Sequence, residues 1–278
     1  MKRLIALVPF AVLLLAACGG GGKQIIVAST TSTQDTGLLE VLLPMFEKQS
    51  GYNVKLIAVG SGQALAMAER GDADALLVHA TSSEKELVDK GLVINRQLVM
   101  HNDFVIVGPE GDPAGIRGKE SAVEAMKAIF EAGAAFISRG DDSGTHKLEL
   151  KLWEKAGLSP KDQSWYEESG QGMGATLQIA NQRNAYTISD RGTYLSQRDG
   201  LDLAVLTEGD PVLLNVYHVM EVNPERFDNV NKEGARAFVE FMVSQEAQEA
   251  IRTFGVDKFG QPLFEPDAGK VESELGLQ

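Results

Sequence analysis

Cysteine is almost absent from this chain: Cys18 stands alone among 278 residues. An intrachain disulfide is therefore impossible, and stability must come from a buried core. Basic residues are the minority, 26 Lys and Arg against 39 Asp and Glu, for a formal charge of −13. That balance argues against nucleic acid as a partner, because backbone binding needs a positive surface. A small anion is not excluded, since the field at a site follows local donors more than net charge. Histidine is scarce too. His79, His101, His146 and His218 show no short zinc-like spacing, so no metal site is expected. His79 follows a buried apolar run and reads as a structural histidine, at most bordering a cleft. Catalytic signatures are also missing. Gly60-Ser61-Gly62 lacks the spacing of a Gly-x-Ser-x-Gly elbow, and residues 140–145 lack the lysine and length of a P-loop. Neither an enzyme activity nor a cofactor is expected.

A long apolar run occurs once. Residues 4–17 follow Lys2 and Arg3, and the run falls short of the roughly 20 residues that span a bilayer. It has the basic head and apolar middle of an export signal. Leu15-Ala16-Ala17-Cys18-Gly19 comes next and resembles the lipobox of bacterial lipoproteins. That resemblance implies cleavage before Cys18 and a lipid on that residue. Residues 18–23 would then be the lipidated cysteine and a flexible glycine tether. Loss of residues 1–17, which hold Lys2 and Arg3 and no acid, leaves 261 residues with a formal charge of −15. Such a chain can bury two cores.

What the sequence does hold is alternation. Strand-like runs at 24–29, 54–59 and 75–78 interleave with apolar-periodic helices at 38–49 and 64–70, which predicts a parallel α/β sheet covered on both faces. Pro44 inside the first helix is an awkward fit. Residues 98–108 read as extended, broken at His101-Asn102-Asp103, and the first crossing between two domains is placed here. Helices at 121–131 and 175–182 and strands at 134–137 and 186–189 follow. Residues 213–222 read as the return crossing, ahead of helices at 231–242 and 245–253. The division is 24–100 for the first part of one lobe, 101–215 for a second lobe, and 216–278 for the return. From residue 261 on, Pro262, Pro266 and Gly269 suggest a loosely packed extension.

Four loops, 29–37, 60–63, 138–145 and 170–176, each lead into a helix, and all combine Ser or Thr with Gly. A helix start has unpaired N–H groups, and nearby hydroxyls add donors. In open α/β sheets, loops at the carboxyl ends of strands face a common crevice. If all four converge, they form a site for a small anion that presents only acceptors. Candidate contacts are Ser29, Thr30, Thr31, Ser32, Ser61, Ser143, Gly144, Thr145, Gly174 and Thr176. Arg139, just after a strand, supplies the charge, and its fork of donors matches adjacent oxygens of an oxyanion. An alternative pairs Arg139 with Asp141 or Asp142, and the two readings are compatible. Ordinary helix capping is the alternative for the hydroxyls.

These residues carry a family resemblance. Ser29-Thr30-Thr31-Ser32-Thr33 with Asp35-Thr36-Gly37-Leu38-Leu39, Gly60-Ser61-Gly62-Gln63-Ala64-Leu65, the run Ser138 through His146, and residues 173–194 resemble the TupA-type tungstate receptors of ABC transporters. The resemblance implies a type II periplasmic-binding-protein fold: two Rossmann-like α/β lobes joined by hinge strands, with a central ligand cleft. It implies tungstate as ligand, with molybdate close behind, and a permease with its ATPase subunits as partners. It further implies a monomer held by its lipid at the periplasmic face of the membrane, or the extracellular face in a single-membrane envelope. Arg139 takes the place of the family's arginine. Ser29 stands where the family's loop has its first threonine, which keeps the hydroxyl. A molybdate, sulfate or phosphate receptor, or an anion-sensing lipoprotein without a transport role, remains open at this level. Hydrogen phosphate would reward an acceptor such as Asp141 or Asp142.

Overall fold

The computed structural model describes residues 23–277. The expected leader, Cys18 and most of the glycine tether lie outside the described residues. The first half of the chain runs β1 (Lys23–Thr30), α1 (Thr31–Asp35), α2 (Leu38–Ser50), β2 (Tyr52–Val59), α3 (Ser61–Arg70), β3 (Ala75–Val78), α4 (Thr81–Asp89) and β4 (Val93–Pro109). It continues through α5 (Ala122–Ala132), β5 (Phe136–Ser138), α6 (Gly144–Ala156), β6 (Tyr166–Glu168), α7 (Met173–Arg183), β7 (Thr187–Asp190), α8 (Arg191–Gln197) and β8 (Leu203–Thr207). The return comprises β9 (Leu214–Val222), α9 (Lys232–Met242), α10 (Gln245–Thr253), α11 (Val256–Phe259) and β10 (Glu265–Pro266).

The sheet order is β10-β4-β9-β3-β1-β2. Within this sheet only β2, β1 and β3 are parallel neighbours, and β5 pairs parallel with β6 in a separate two-stranded sheet. β3 pairs antiparallel with β9, and β9 antiparallel with β4. The three strands read as parallel are so, and the sheet as a whole is mixed because β9 and β4 extend it antiparallel. The physical reason is β4, which leaves the first lobe and never returns by a helical crossover; its partner β9 comes back alongside it in the opposite direction. All four residues of β3, Ala-Leu-Leu-Val, are buried, as fits a strand paired on both sides and covered on both faces.

β4 is the element that spans both lobes. Its residues 93–103 pair with β9, whereas Phe104 through Pro109 pair with β7 and β8. The polar triplet 101–103 does not interrupt it. Asn102 is buried and accepts from Asn215 Nδ2 at 2.8 Å, so its polarity is satisfied inside the strand pair. Three buried apolar clusters result. One holds Val27, Leu42, Phe46, Phe238 and Met242, a second holds Ile106, Met126, Phe136, Trp153 and Tyr186, and a third holds Ala64, Leu76, Val78 and Met220. Helix α9 seats so closely on β1 that a Cβ at Gly234 would lie 2.1 Å from Ile25 Cγ2.

Three local features differ from the sequence reading. α2 runs uninterrupted through Pro44. α4 buries only Glu84 and Leu87, so no apolar stripe announces it. The segment from residue 261 is not a loose extension: Leu263, Phe264 and Asp267 are buried, and β10 pairs with β4 at Glu265–His101. Asp267 accepts from His101 Nδ1 at 2.6 Å and from Lys270 Nζ at 2.8 Å. Pro262 and Pro266 report local backbone restriction, but Phe264 packs on Phe254 and on Tyr217, the latter far away in sequence.

Candidate functional site

The strand ends assemble a cleft of about 490 Å³ between the two lobes. Its first wall is the β1–α1 junction. Thr30 caps α1, its Oγ1 accepting from Thr33 N at 3.1 Å, and Thr30, Thr31, Ser32 and Thr36 line the cleft. Ser29 does not line it. Its hydroxyl turns back into the sheet and donates to Leu77 O at 2.7 Å.

The second wall is the start of α3. Gly60 is the N-cap, and Ser61 and Gly62 are the first helical residues. Their N–H groups precede the point where intrahelical bonding begins. Gly60, Ser61, Gly62 and Gln63 line the cleft.

The third wall comes from the second lobe. Ser143 caps α6, accepting from His146 N at 3.3 Å, and Gly144 and Thr145 open the helix. Arg139 Nη2 donates to Asp141 Oδ2, and Nη1 reaches Thr145 Oγ1 at 3.5 Å. Its Nε is buried without a partner. Asp141 also accepts from Ser143 N at 3.2 Å. Burial pushes the Asp141 carboxyl upward, but bonds from Ser143 and the charge of Arg139 outweigh that and hold it below the usual value. The aspartate thus orients the guanidinium and is occupied in doing so. Asp142, at the rim, pairs with Lys147 Nζ at 3.4 Å.

The fourth loop departs from the expectation. Neither Gly174 nor Thr176 lines the cleft. Gly174 is packed under Gln197, where a Cβ would lie 2.5 Å from Nε2. Thr176 is buried, with its Oγ1 3.1 Å from Gly172 O and 2.8 Å from Ser169 Oγ. Ser169 N in turn donates to Ser138 O, and Gly170 N to Arg139 O, both at 2.9 Å. The loop stands behind the Arg139 turn and buttresses its backbone.

The cleft floor holds residues that the loop pattern missed: His79, Phe104, Asp190, Asn215 and Tyr217. Asn215 and Tyr217 are two apart on β9 and so share one face; that spacing was the available signal. Tyr217 Oη accepts from Asn215 Nδ2 at 2.9 Å. Burial raises the Tyr217 pKa further above its usual value, leaving a neutral O–H donor. Asp190 caps α8, bonded to Thr193 N and Oγ1. His79 Nε2 lies 3.0 Å from Thr30 Oγ1 and 3.3 Å from Ser32 Oγ. The lining is therefore rich in donors, and of its three carboxylates Asp141 and Asp190 are already bonded while the exposed Asp142 pairs with Lys147. Among the described residues no cluster of three His, Cys, Asp or Glu could hold a cation.

Comparisons with known proteins agree with this geometry. A family model described as a PBP superfamily domain matches residues 18–246. The chain is 48% identical over 241 residues to the tungstate-binding protein TupA of Peptoclostridium acidaminophilum, covering 86% of this chain and 84% of that one. The solved structure of the tungstate-binding protein TupA from Desulfovibrio alaskensis G20 superposes with a TM-score of 0.82 at 44% identity, covering 88% of this chain and 99% of that one. A structure described as the tungstate ABC transporter from Geobacter sulfurreducens gives a TM-score of 0.74 at 47% identity, over 83% and 98% of the two chains.

Proposed function

Because the chain belongs to the PBP superfamily and, within it, to the tungstate-binding-protein family, we propose that it captures tungstate outside the cytoplasm and delivers it to an ABC-type permease. It is a solute receptor and not an enzyme. The observation that carries the reading is Arg139: a guanidinium oriented by Asp141, its Nε buried and unpartnered, facing hydroxyls and helix starts from three loops. Tungstate is doubly charged and unprotonated near neutral pH and presents only acceptors. A donor-rich cleft in which Asp141 and Asp190 are already committed suits it better than hydrogen phosphate, whose proton needs an acceptor.

The anion contacts on this reading are Thr30, Thr31, Ser32, Ser61, Arg139, Ser143, Gly144 and Thr145. Ser29, Gly174 and Thr176 support the loops from behind. The lobes divide at 24–100, 101–215 and 216–278, and closure about β4 and β9 brings the three walls together. Cys18 carries a lipid, and a monomer tethered by it at the periplasmic or extracellular face serves a permease with ATPase subunits.

The test is calorimetric titration of ligand-stripped protein from Gly19 onward with tungstate, followed by molybdate, sulfate and phosphate as competitors. Tight tungstate binding that excess sulfate and phosphate do not displace is the expected result. No heat from any of the four anions, with folded and empty protein, would overturn the assignment.

A further inference from the structure

His79 is the one cleft residue whose local pattern reads as structural, yet it occupies the seam of the site. It leaves the end of β3, its Nε2 faces the hydroxyls of Thr30 and Ser32, and its ring lies against Tyr217 of β9, with centroids 4.7 Å apart. The opposite ring edge meets the second lobe. A Cβ at Gly144, the first residue of α6, would lie 3.5 Å from His79 Cε1 and 3.7 Å from Nδ1. Although the residue is only half-buried overall, Nδ1 is closed to solvent and has no hydrogen-bond partner. The Asn215 side chain lies near enough to the ring to favour its protonated form, but Nδ1 has no hydrogen-bond partner within normal distance and angle. A buried polar atom left unpaired inside a binding cleft costs stability unless something arrives to meet it.

Resting on the tungstate reading above, we propose that His79 is a further anion-binding residue, donating Nδ1–H to the bound oxyanion while Nε2 accepts the hydroxyl proton of Thr30 or Ser32. Burial holds the imidazole pKa below its usual value despite the nearby carboxylates of Glu84 and Asp190, so the ring is neutral at neutral pH and carries one proton. That proton has two places to sit. On Nε2 it would leave a bare lone pair on Nδ1, which repels an anion made only of acceptors. On Nδ1 it becomes a donor, and Thr30 Oγ1 or Ser32 Oγ satisfies the other nitrogen. The arriving anion therefore selects the Nδ1–H form. The tilted contact with Tyr217 holds the ring plane while it does so.

The test separates this role from a merely structural one. The amide nitrogen of asparagine can stand where Nδ1 stands, and that of glutamine where Nε2 stands. In titrations with sodium tungstate, His79→Leu and His79→Gln should lose affinity by about 10- to 100-fold, the range for one hydrogen bond to a charged group. His79→Asn should stay much closer to wild type. Retention by His79→Gln with loss in His79→Asn would overturn the proposal, because the ring would then act only by holding the Thr30 hydroxyl; so would three variants that titrate like wild type. Long-range proton–nitrogen spectra of the wild-type protein decide the point even if a variant fails to fold. Saturation with tungstate should put the ring proton on Nδ1, and a proton on Nε2 would overturn the assignment. A wild-type protein that is folded and empty yet gives no heat with tungstate marks a different failure, that of the underlying functional reading.

Discussion

At Arg139 three donors are differently employed: Nη2 is given to Asp141, Nη1 reaches Thr145, and Nε is held in reserve. Only 13% of the side chain is exposed, so its charge acts in a weakened dielectric. Arg139→Ala should cost tungstate binding about 3 kcal/mol or more, beyond 100-fold, on the scale of truncating one member of a buried charge contact. Calorimetry measures it, and unchanged affinity would remove Arg139 from the site. Asp141→Asn asks a narrower question. The amide keeps the size and can still accept from Ser143 N, but it no longer attracts the guanidinium. Affinity should fall by about five- to tenfold, the worth of one oriented contact, with the thermal midpoint near that of wild type.

At the scale of elements, α6 is fastened to the Arg139 turn through Glu149. Its carboxylate accepts from Ser138 Oγ at 2.6 Å, Tyr166 Oη at 2.9 Å and Trp153 Nε1 at 3.1 Å. Burial raises its pKa above the ordinary 4.5 despite those bonds. A raised folded-state pKa means that the folded protein binds the proton more tightly than the unfolded chain. The stability this provides is complete below the ordinary value and is lost as pH climbs through the raised one. Glu149→Gln keeps the shape and cannot ionise. Its thermal midpoint should therefore fall less than that of wild type as pH is raised above the ordinary glutamate range, as scanning calorimetry would show. The C-terminal segment is the second element with a measurable role. Phe264 packs on Tyr217 with centroids 5.6 Å apart, and Tyr217 backs His79. Phe264→Ala should destabilise the fold by about 3 kcal/mol through the cavity it leaves, read by chemical denaturation. Wild-type stability in that variant would mean the segment lies loosely after all.

The whole molecule carries its cleft on a chain of formal charge −13 and receives a doubly charged anion. Long-range repulsion opposes encounter, whereas local donors hold the anion once it is inside. Stopped-flow association with tungstate should therefore quicken as ionic strength rises from about 0.01 to 0.15 M, where screening shortens from about 30 to 8 Å. A slowing with salt would show that a positive field at the cleft mouth governs capture. β4 and β9 run as an antiparallel pair into the floor of the cleft, and on the proposed function a small change in their twist would swing one lobe against the other.

Much of this molecule was legible in one dimension. The Ser, Thr and Gly residues at strand ends, Arg139 after β5, and the apolar stripes of α2, α5 and α9 follow from local rules. Hydrophobic period selects the element, and a helix start always has spare N–H groups. The lining by Thr30, Ser61 and Thr145 could be read because each sits on such a start, and that by Arg139 because it directly follows a strand. Other features required the folded chain. The fourth loop has the same composition as the other three, yet Thr176 and Gly174 face inward behind Arg139. His79, Asn215 and Tyr217 reach the cleft floor because β3, β9 and β4 are neighbours. Composition determines which groups a segment can offer. Long-range strand pairing decides which segments meet, and that order is set by packing between residues more than a hundred positions apart in the chain.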